Sequence, residues 1–188
     1  MTDSTIIANP DSPDVAVLLP GTGYTAQAPL LFWCGRLLAE RGWQVRAVSW
    51  IVPDDVDPVS FVERATEQAF AGATARRLVV AKSFGSFALP WAVREKVPGI
   101  WLTPVMTAEA VTAAMQELDT TGLAIGGDAD AMWLPAEAGD AAADLITIKG
   151  ADHALTHVDG WRSSLDAQRR VYDAVSRHLD DIEAAATS

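Results

Sequence analysis

Ser83 is the first residue with a chemical reading. It stands in Val79-Val80-Ala81-Lys82-Ser83-Phe84-Gly85-Ser86, with a small residue two positions before it and another two after. A strand that runs into such a serine and a helix that leaves it must turn sharply, which lifts the hydroxyl above the sheet on a strained backbone. Bulk at either small position would strike the adjoining strand or helix. The first free N–H groups of the helix then point to where an oxyanion would form. The same pattern also fits a serine that merely caps a helix.

A serine hydroxyl needs a base to become a nucleophile. The chain has three histidines. His178 falls in an amphipathic closing helix and is expected at its surface. His157 reads as a surface residue or a brace within its loop. His153 directly follows the last apolar run, in Ile148-Lys149-Gly150-Ala151-Asp152-His153, and is the expected base. An imidazole in that role needs a carboxylate to fix its tautomer. Two aspartates, Asp128 and Asp130, end the preceding run, in Ala124-Ile125-Gly126-Gly127-Asp128-Ala129-Asp130. Either can serve, and the other is left with a turn role. The chain order Ser, Asp, His is a known order for such triads.

The elements that must position these groups alternate. Apolar runs at 15–20, 44–52, 77–82, 100–104, 122–126 and 145–149 read as six strands. Between and after them, 30–41, 57–73, 84–97, 108–118 and 161–185 read as helices. Gly42 stops the first, Asp57-Pro58 starts the second, and Pro90 kinks the third or starts a new segment within it. Strict alternation predicts a three-layer αβα sandwich on a mostly parallel six-stranded sheet, with helices on both faces. All three candidate groups then leave the same sheet edge.

The composition narrows the partners. With 188 residues the chain makes one domain, read as 14–188 after an N-terminal tail at 1–13. Lys and Arg number 14 against 25 Asp and Glu, a net charge of −11, which argues against nucleic acid and anionic membrane surfaces. The single cysteine, Cys34, permits no internal disulfide and no cysteine-based zinc site. It lies on an apolar helix face and reads as a small buried hydrophobe. Residues 1–13 lack a basic stretch followed by an apolar one, so no signal peptide is read and a cytoplasmic location is expected.

The turn after the first strand, Leu19-Pro20-Gly21-Thr22-Gly23-Tyr24-Thr25-Ala26, matches a dinucleotide fingerprint, an oxyanion turn or a plain loop. The dinucleotide reading is the weakest. Its helix should begin inside the glycines, whereas Ala28-Pro29 starts the helix later, and no acidic residue ends the next strand at the required distance.

Together the segments at Ser83, Asp128/Asp130 and His153 resemble those of the α/β-hydrolase superfamily. The resemblance runs from Val15 to the closing helix. The sequence departs from the usual Gly-x-Ser-x-Gly elbow by carrying Ala81, and nothing in it is long enough for a full lid. The resemblance implies a sheet order of 2-1-3-4-5-6. It also implies Asp130, in a Gly-x-x-Asp turn, as the acid over Asp128, and the N–H groups of Thr22 and Phe84 as oxyanion donors. The implied activity is hydrolysis of a small-molecule ester or thioester through an acyl-enzyme, with no metal or organic cofactor. The rival is a non-catalytic binding or scaffold protein on the same fold.

Other residues are candidates for the substrate pocket. Tyr24, Met106 and Trp133 are the first three, joined by Phe84, Trp50 and Trp101; core packing is the competing role for each tryptophan. Lys82 is expected to be solvated, or else to orient the loops through an ion pair. Asp180, Asp181 and Glu183 read as a solvated helix face.

Overall fold

A computed structural model describes residues 2–185. Seven strands form one sheet: β1 (Thr2–Ala8), β2 (Val15–Leu19), β3 (Gln44–Trp50), β4 (Arg77–Lys82), β5 (Gly99–Leu102), β6 (Gly122–Gly127) and β7 (Asp144–Ile148). Their order is β1-β3-β2-β4-β5-β6-β7, and only β1 runs antiparallel to its neighbour. The six parallel strands follow the expected order. Five helices cover the sheet: α1 (Pro29–Glu40), α2 (Pro58–Ala69), α3 (Leu89–Glu95), α4 (Glu109–Gln116) and α5 (Trp161–Ala185).

The period-two rule of a strand divides the core into two layers. Val15, Val17 and Leu19 of β2 join Val79 and Ala81 of β4 on the face covered by α2, α3 and α4. Ala16 and Leu18 join Leu78 and Val80 on the face covered by α1 and α5. Every residue of β2 is buried, as a strand covered on both faces requires. Burying a leucine such as Leu18 completely stabilises the fold by about 2 kcal/mol.

The helix boundaries follow from local chemistry. Pro29 stands at the start of α1, where its missing N–H costs nothing, and the Tyr24 hydroxyl accepts the Leu30 N–H at 3.1 Å. Gly42, at φ +82°, takes the left-handed turn beyond the end of α1. Asp57 caps α2 by accepting the Ser60 N–H at 2.8 Å. Pro90 does not kink a helix. A 3₁₀ turn at Ser83–Ala88 comes first, and α3 begins at Leu89 with the proline in its opening turn.

The difference from the sequence reading is β1. The segment read as a tail supplies the antiparallel edge strand, paired from Thr2↔Trp50 onward. Its side chains are mostly exposed, so it carries no apolar alternation to announce it. Asn9 anchors its end, donating from Nδ2 to the carbonyls of Ala39 (2.8 Å) and Trp43 (2.9 Å). Among the described residues, no helix is long and apolar enough to cross a membrane.

Candidate active site

β4 ends at Lys82, and Ser83 follows at φ +51°, a left-handed conformation that a serine adopts only under constraint. The constraint is visible on both sides. Gly85 lies so close to β2 that a Cβ there would sit 2.5 Å from the Leu19 carbonyl oxygen. Ala81 is fully buried in register between Leu19 and Trp101. Gly85 is therefore demanded by close approach of the backbone. Gly21 closes the front: a Cβ on it would be 3.1 Å from the Ser83 Cβ. Thr22 and Phe84, the residues carrying the expected oxyanion donors, directly follow these two touching residues.

The turns after β6 and β7 are stitched together. The Ala129 N–H donates to the Ala151 carbonyl at 3.0 Å. Gly127 has no room for a side chain, because a Cβ would collide with that same carbonyl. The Asp128 carboxylate accepts the Gly150 N–H. Asp152 accepts the N–H groups of Ala154 and Thr156, each at 2.9 Å, and the Thr156 hydroxyl at 2.8 Å. Leu155, fully buried, plugs the loop into the core.

These braces aim His153 between two partners. Its Nε2 lies 2.8 Å from the Ser83 Oγ, and its Nδ1 lies 2.7 Å from the Asp130 Oδ2. The other Asp130 oxygen accepts the Met132 N–H at 2.9 Å. The carboxylate can only accept, so Nδ1 carries the proton and Nε2 is left to accept from the serine. Asp130 has a side chain only 3% exposed, against 33% for His153, so the carboxylate is dry while the imidazole meets solvent. Such a chain of groups can pass a proton from the hydroxyl to the imidazole as the oxygen attacks a carbonyl.

The remaining candidates have packing partners. The Phe84 ring meets Trp50 at 5.8 Å and Phe87 at 5.4 Å between centroids, and Trp50 also meets Phe61. Trp101 is fully buried against Gly99. Met106 and Trp133 are core residues, and the Trp133 indole donates to Thr147 Oγ1 at 2.8 Å. Met106 also borders a cavity of about 570 Å³ beside α4, whose walls include neither Ser83 nor His153. The 21–28 segment forms no helix or strand, and α1 begins only at Pro29, so no helix starts among its glycines.

Two residues sit differently from their sequence readings. His178 is buried, 4% exposed, with Nε2 3.2 Å from the Thr121 carbonyl, and burial lowers its pKa. Lys82 is also buried and forms no ion pair among the described residues. Asp180 and Glu183 pair with Arg41 and so tie α5 to the end of α1. His157 braces its loop through the Lys149 carbonyl at 3.2 Å. Cys34 is fully buried, which pushes its thiol up to about 12. The sequence reading also passed over Ser86, whose Oγ accepts the Val105 N–H at 3.0 Å and holds the 3₁₀ turn to the chain beyond β5.

No protein-family model matches the sequence, and no curated protein matches it. Solved structures do. Est1E from Butyrivibrio proteoclasticus, solved with ferulic acid bound, is 13% identical, covers 97% of this chain and 96% of its own, and superposes with a TM-score of 0.71. XC6422 from Xanthomonas campestris, described as an α/β serine hydrolase without a lid, is 17% identical over 96% of this chain and 88% of its own, with a TM-score of 0.66. A dienelactone hydrolase from Anabaena variabilis is 15% identical over 96% and 91%, with a TM-score of 0.67. The chain has the α/β-hydrolase fold.

Proposed function

We propose that this protein is a serine hydrolase that cleaves an ester or thioester through an acyl-enzyme. The observation that carries the reading is the unbroken line from Ser83 Oγ through His153 to Asp130, at 2.8 and 2.7 Å. In this reading His153 takes the serine proton as Ser83 attacks the acyl carbonyl. The same imidazole, now protonated, delivers that proton to the leaving alcohol or thiol. Water then repeats the two steps on the acyl-serine. Asp130 holds the imidazole tautomer and stabilises the imidazolium.

The N–H groups of Thr22 and Phe84 are the donors proposed for the oxyanion. Their support is the contact of Gly21 with Ser83 and the 3₁₀ turn opening at the serine, whose first N–H groups have no partner within the turn. One such donor lowers the barrier by about 3 kcal/mol where this has been measured in other enzymes. Acyl chemistry is also what the names of the structural neighbours Est1E and dienelactone hydrolase indicate for those proteins.

A fluorophosphonate probe tests the reading. The intact protein should be labelled at Ser83, the Ser83→Ala variant should not, and a panel of model acyl esters should be hydrolysed by the first alone. A folded wild-type protein that neither labels nor turns over any ester would instead establish the non-catalytic alternative.

A further inference from the structure

Lys82 ends β4 directly before Ser83, and its side chain turns inward. It is 5% exposed, and among the described residues it is the one lysine or arginine so deeply buried. Burying an ammonium is costly unless something answers its charge. What it meets is the face of an aromatic ring: its Nζ lies 5.1 Å from the centroid of Tyr24. A cation is attracted by the electron-rich face of a ring, and more strongly where water is excluded.

The same side chain touches the Gly-rich turn at a second point. A Cβ on Gly21 would be 3.4 Å from Lys82 Cδ and 3.1 Å from Ser83 Cβ, so Gly21 rests on this pair of residues. Gly21 and Tyr24 are the two ends of one four-residue turn. The Tyr24 N–H donates to the Gly21 carbonyl at 3.2 Å, and Gly23 takes a left-handed φ of +68° at the third position. The Lys82 stem thus packs against one end of the turn and its ammonium against the other. Thr22 stands between those ends, and its N–H is not the one that closes the turn. Tyr24 is fixed in its own right, because its hydroxyl accepts the Leu30 N–H at 3.1 Å. The lysine therefore ties a fixed ring on the turn to the strand that carries the serine.

We propose that Lys82 is a positioning residue for the oxyanion donor: through its contacts with Gly21 and the Tyr24 ring, its buried side chain holds the turn so that the Thr22 N–H faces the oxygen developing beside Ser83. An oxyanion donor acts most strongly when it needs no rearrangement as charge develops, and a turn free to rock would lose that advantage. This role rests on the reading of Thr22 as an oxyanion donor in a serine hydrolase.

The test reads the Thr22 amide directly. Ser83 is phosphonylated with a fluorophosphonate, which leaves a tetrahedral group with an oxygen where the oxyanion would form. The amide NMR spectrum of the whole protein is recorded before and after. In wild type the Thr22 N–H resonance should move downfield, as that of a proton gaining a strong acceptor does. Lys82→Met keeps an apolar stem and removes the charge, and most of that movement should be lost. Its kcat should fall about 10–100-fold with KM little changed, part of the roughly 10²–10³ that a lost donor costs. Tyr24→Phe keeps the ring and should keep the movement, whereas Tyr24→Leu removes the ring and should lose it. A Lys82→Met protein with the full Thr22 movement and the wild-type kcat has lost packing alone, whatever its Tm; that overturns the proposal and leaves the hydrolase reading intact. A labelled wild type whose Thr22 resonance stays in place overturns it as well. If Lys82→Met does not fold, equal movement in Tyr24→Phe and Tyr24→Leu overturns it in the same way. A folded wild-type protein that the probe does not label sinks the hydrolase reading itself, and this role with it.

Discussion

Asp128 holds the backbone N–H of Gly150, and in doing so it fastens the turn after β6 to the loop that carries His153. Asp130, two residues later, reaches the imidazole itself. The two carboxylates that the sequence left as alternatives therefore take separate tasks, and their asparagine variants should separate too. Asp130→Asn should lower kcat about 10⁴-fold, the effect of a wrong tautomer in a comparable triad. Asp128→Asn should act mainly on stability, by about 1 kcal/mol, through a weakened charge-assisted bond. Initial rates on an activated ester and thermal melts of both variants check this. Equal rate losses would contradict the division.

Gly85 should tolerate no side chain. A Cβ there meets the Leu19 carbonyl oxygen at 2.5 Å, in rigid backbone that has nowhere to move. Gly85→Ala should cost about 1–3 kcal/mol by overpacking. Differential scanning calorimetry would register a lower Tm. An unchanged Tm would mean that β2 and the 3₁₀ turn can separate more easily than their packing indicates.

His178 should make stability depend on mild acid. Its folded pKa is lowered, chiefly by burial, so below the ordinary value of 6.5 the unfolded chain binds more protons than the folded one. Stability is fully present above 6.5 and is lost as the pH falls from there toward the lowered folded value. Asp14, Asp57 and Asp152, all lowered below 3.8, shed their contributions only in stronger acid. Urea midpoints at pH 8 and pH 5 should therefore differ more in wild type than in His178→Gln. The same difference in both proteins would place the acid sensitivity elsewhere.

Ser83 should be better off as glycine than as alanine, once its chemistry is set aside. Both variants lose the hydroxyl, yet only glycine accepts φ +51° without a Cβ clash. Ser83→Gly should exceed Ser83→Ala in stability by about 1 kcal/mol. Denaturant titrations of the two inactive proteins test this; alanine as the more stable of the pair would show that the turn relaxes when the hydroxyl is removed.

The legible parts of the sequence were those written as continuous patterns. Six apolar runs became six parallel strands; in the middle of the sheet a doubly covered strand must be apolar throughout, as β2 is. Gly85 was legible because the close approach of Leu19 leaves no room for a side chain there. β1 was not, since an exposed edge strand carries no such pattern. Two misreadings had a signal available. Val171, Ala174, Val175 and His178 fall at helical spacing on the buried side of α5, and that spacing includes the histidine. Lys82 follows Leu78 and Val80 at period two, which points it toward α1 and away from solvent. The choice between Asp128 and Asp130 had no such signal in the residues themselves; it is set by how two loops cross.

The left-handed backbone at Ser83 has a thermal consequence. A residue held in an unfavoured conformation stays there only while its neighbours hold it, Gly21 packing against its side chain and Leu19 packing against Gly85 two residues on. Loosening of the rim alone is enough to let the hydroxyl sink away from His153. Warming should therefore silence fluorophosphonate labelling before far-ultraviolet dichroism registers any loss of helix, and cooling should bring it back.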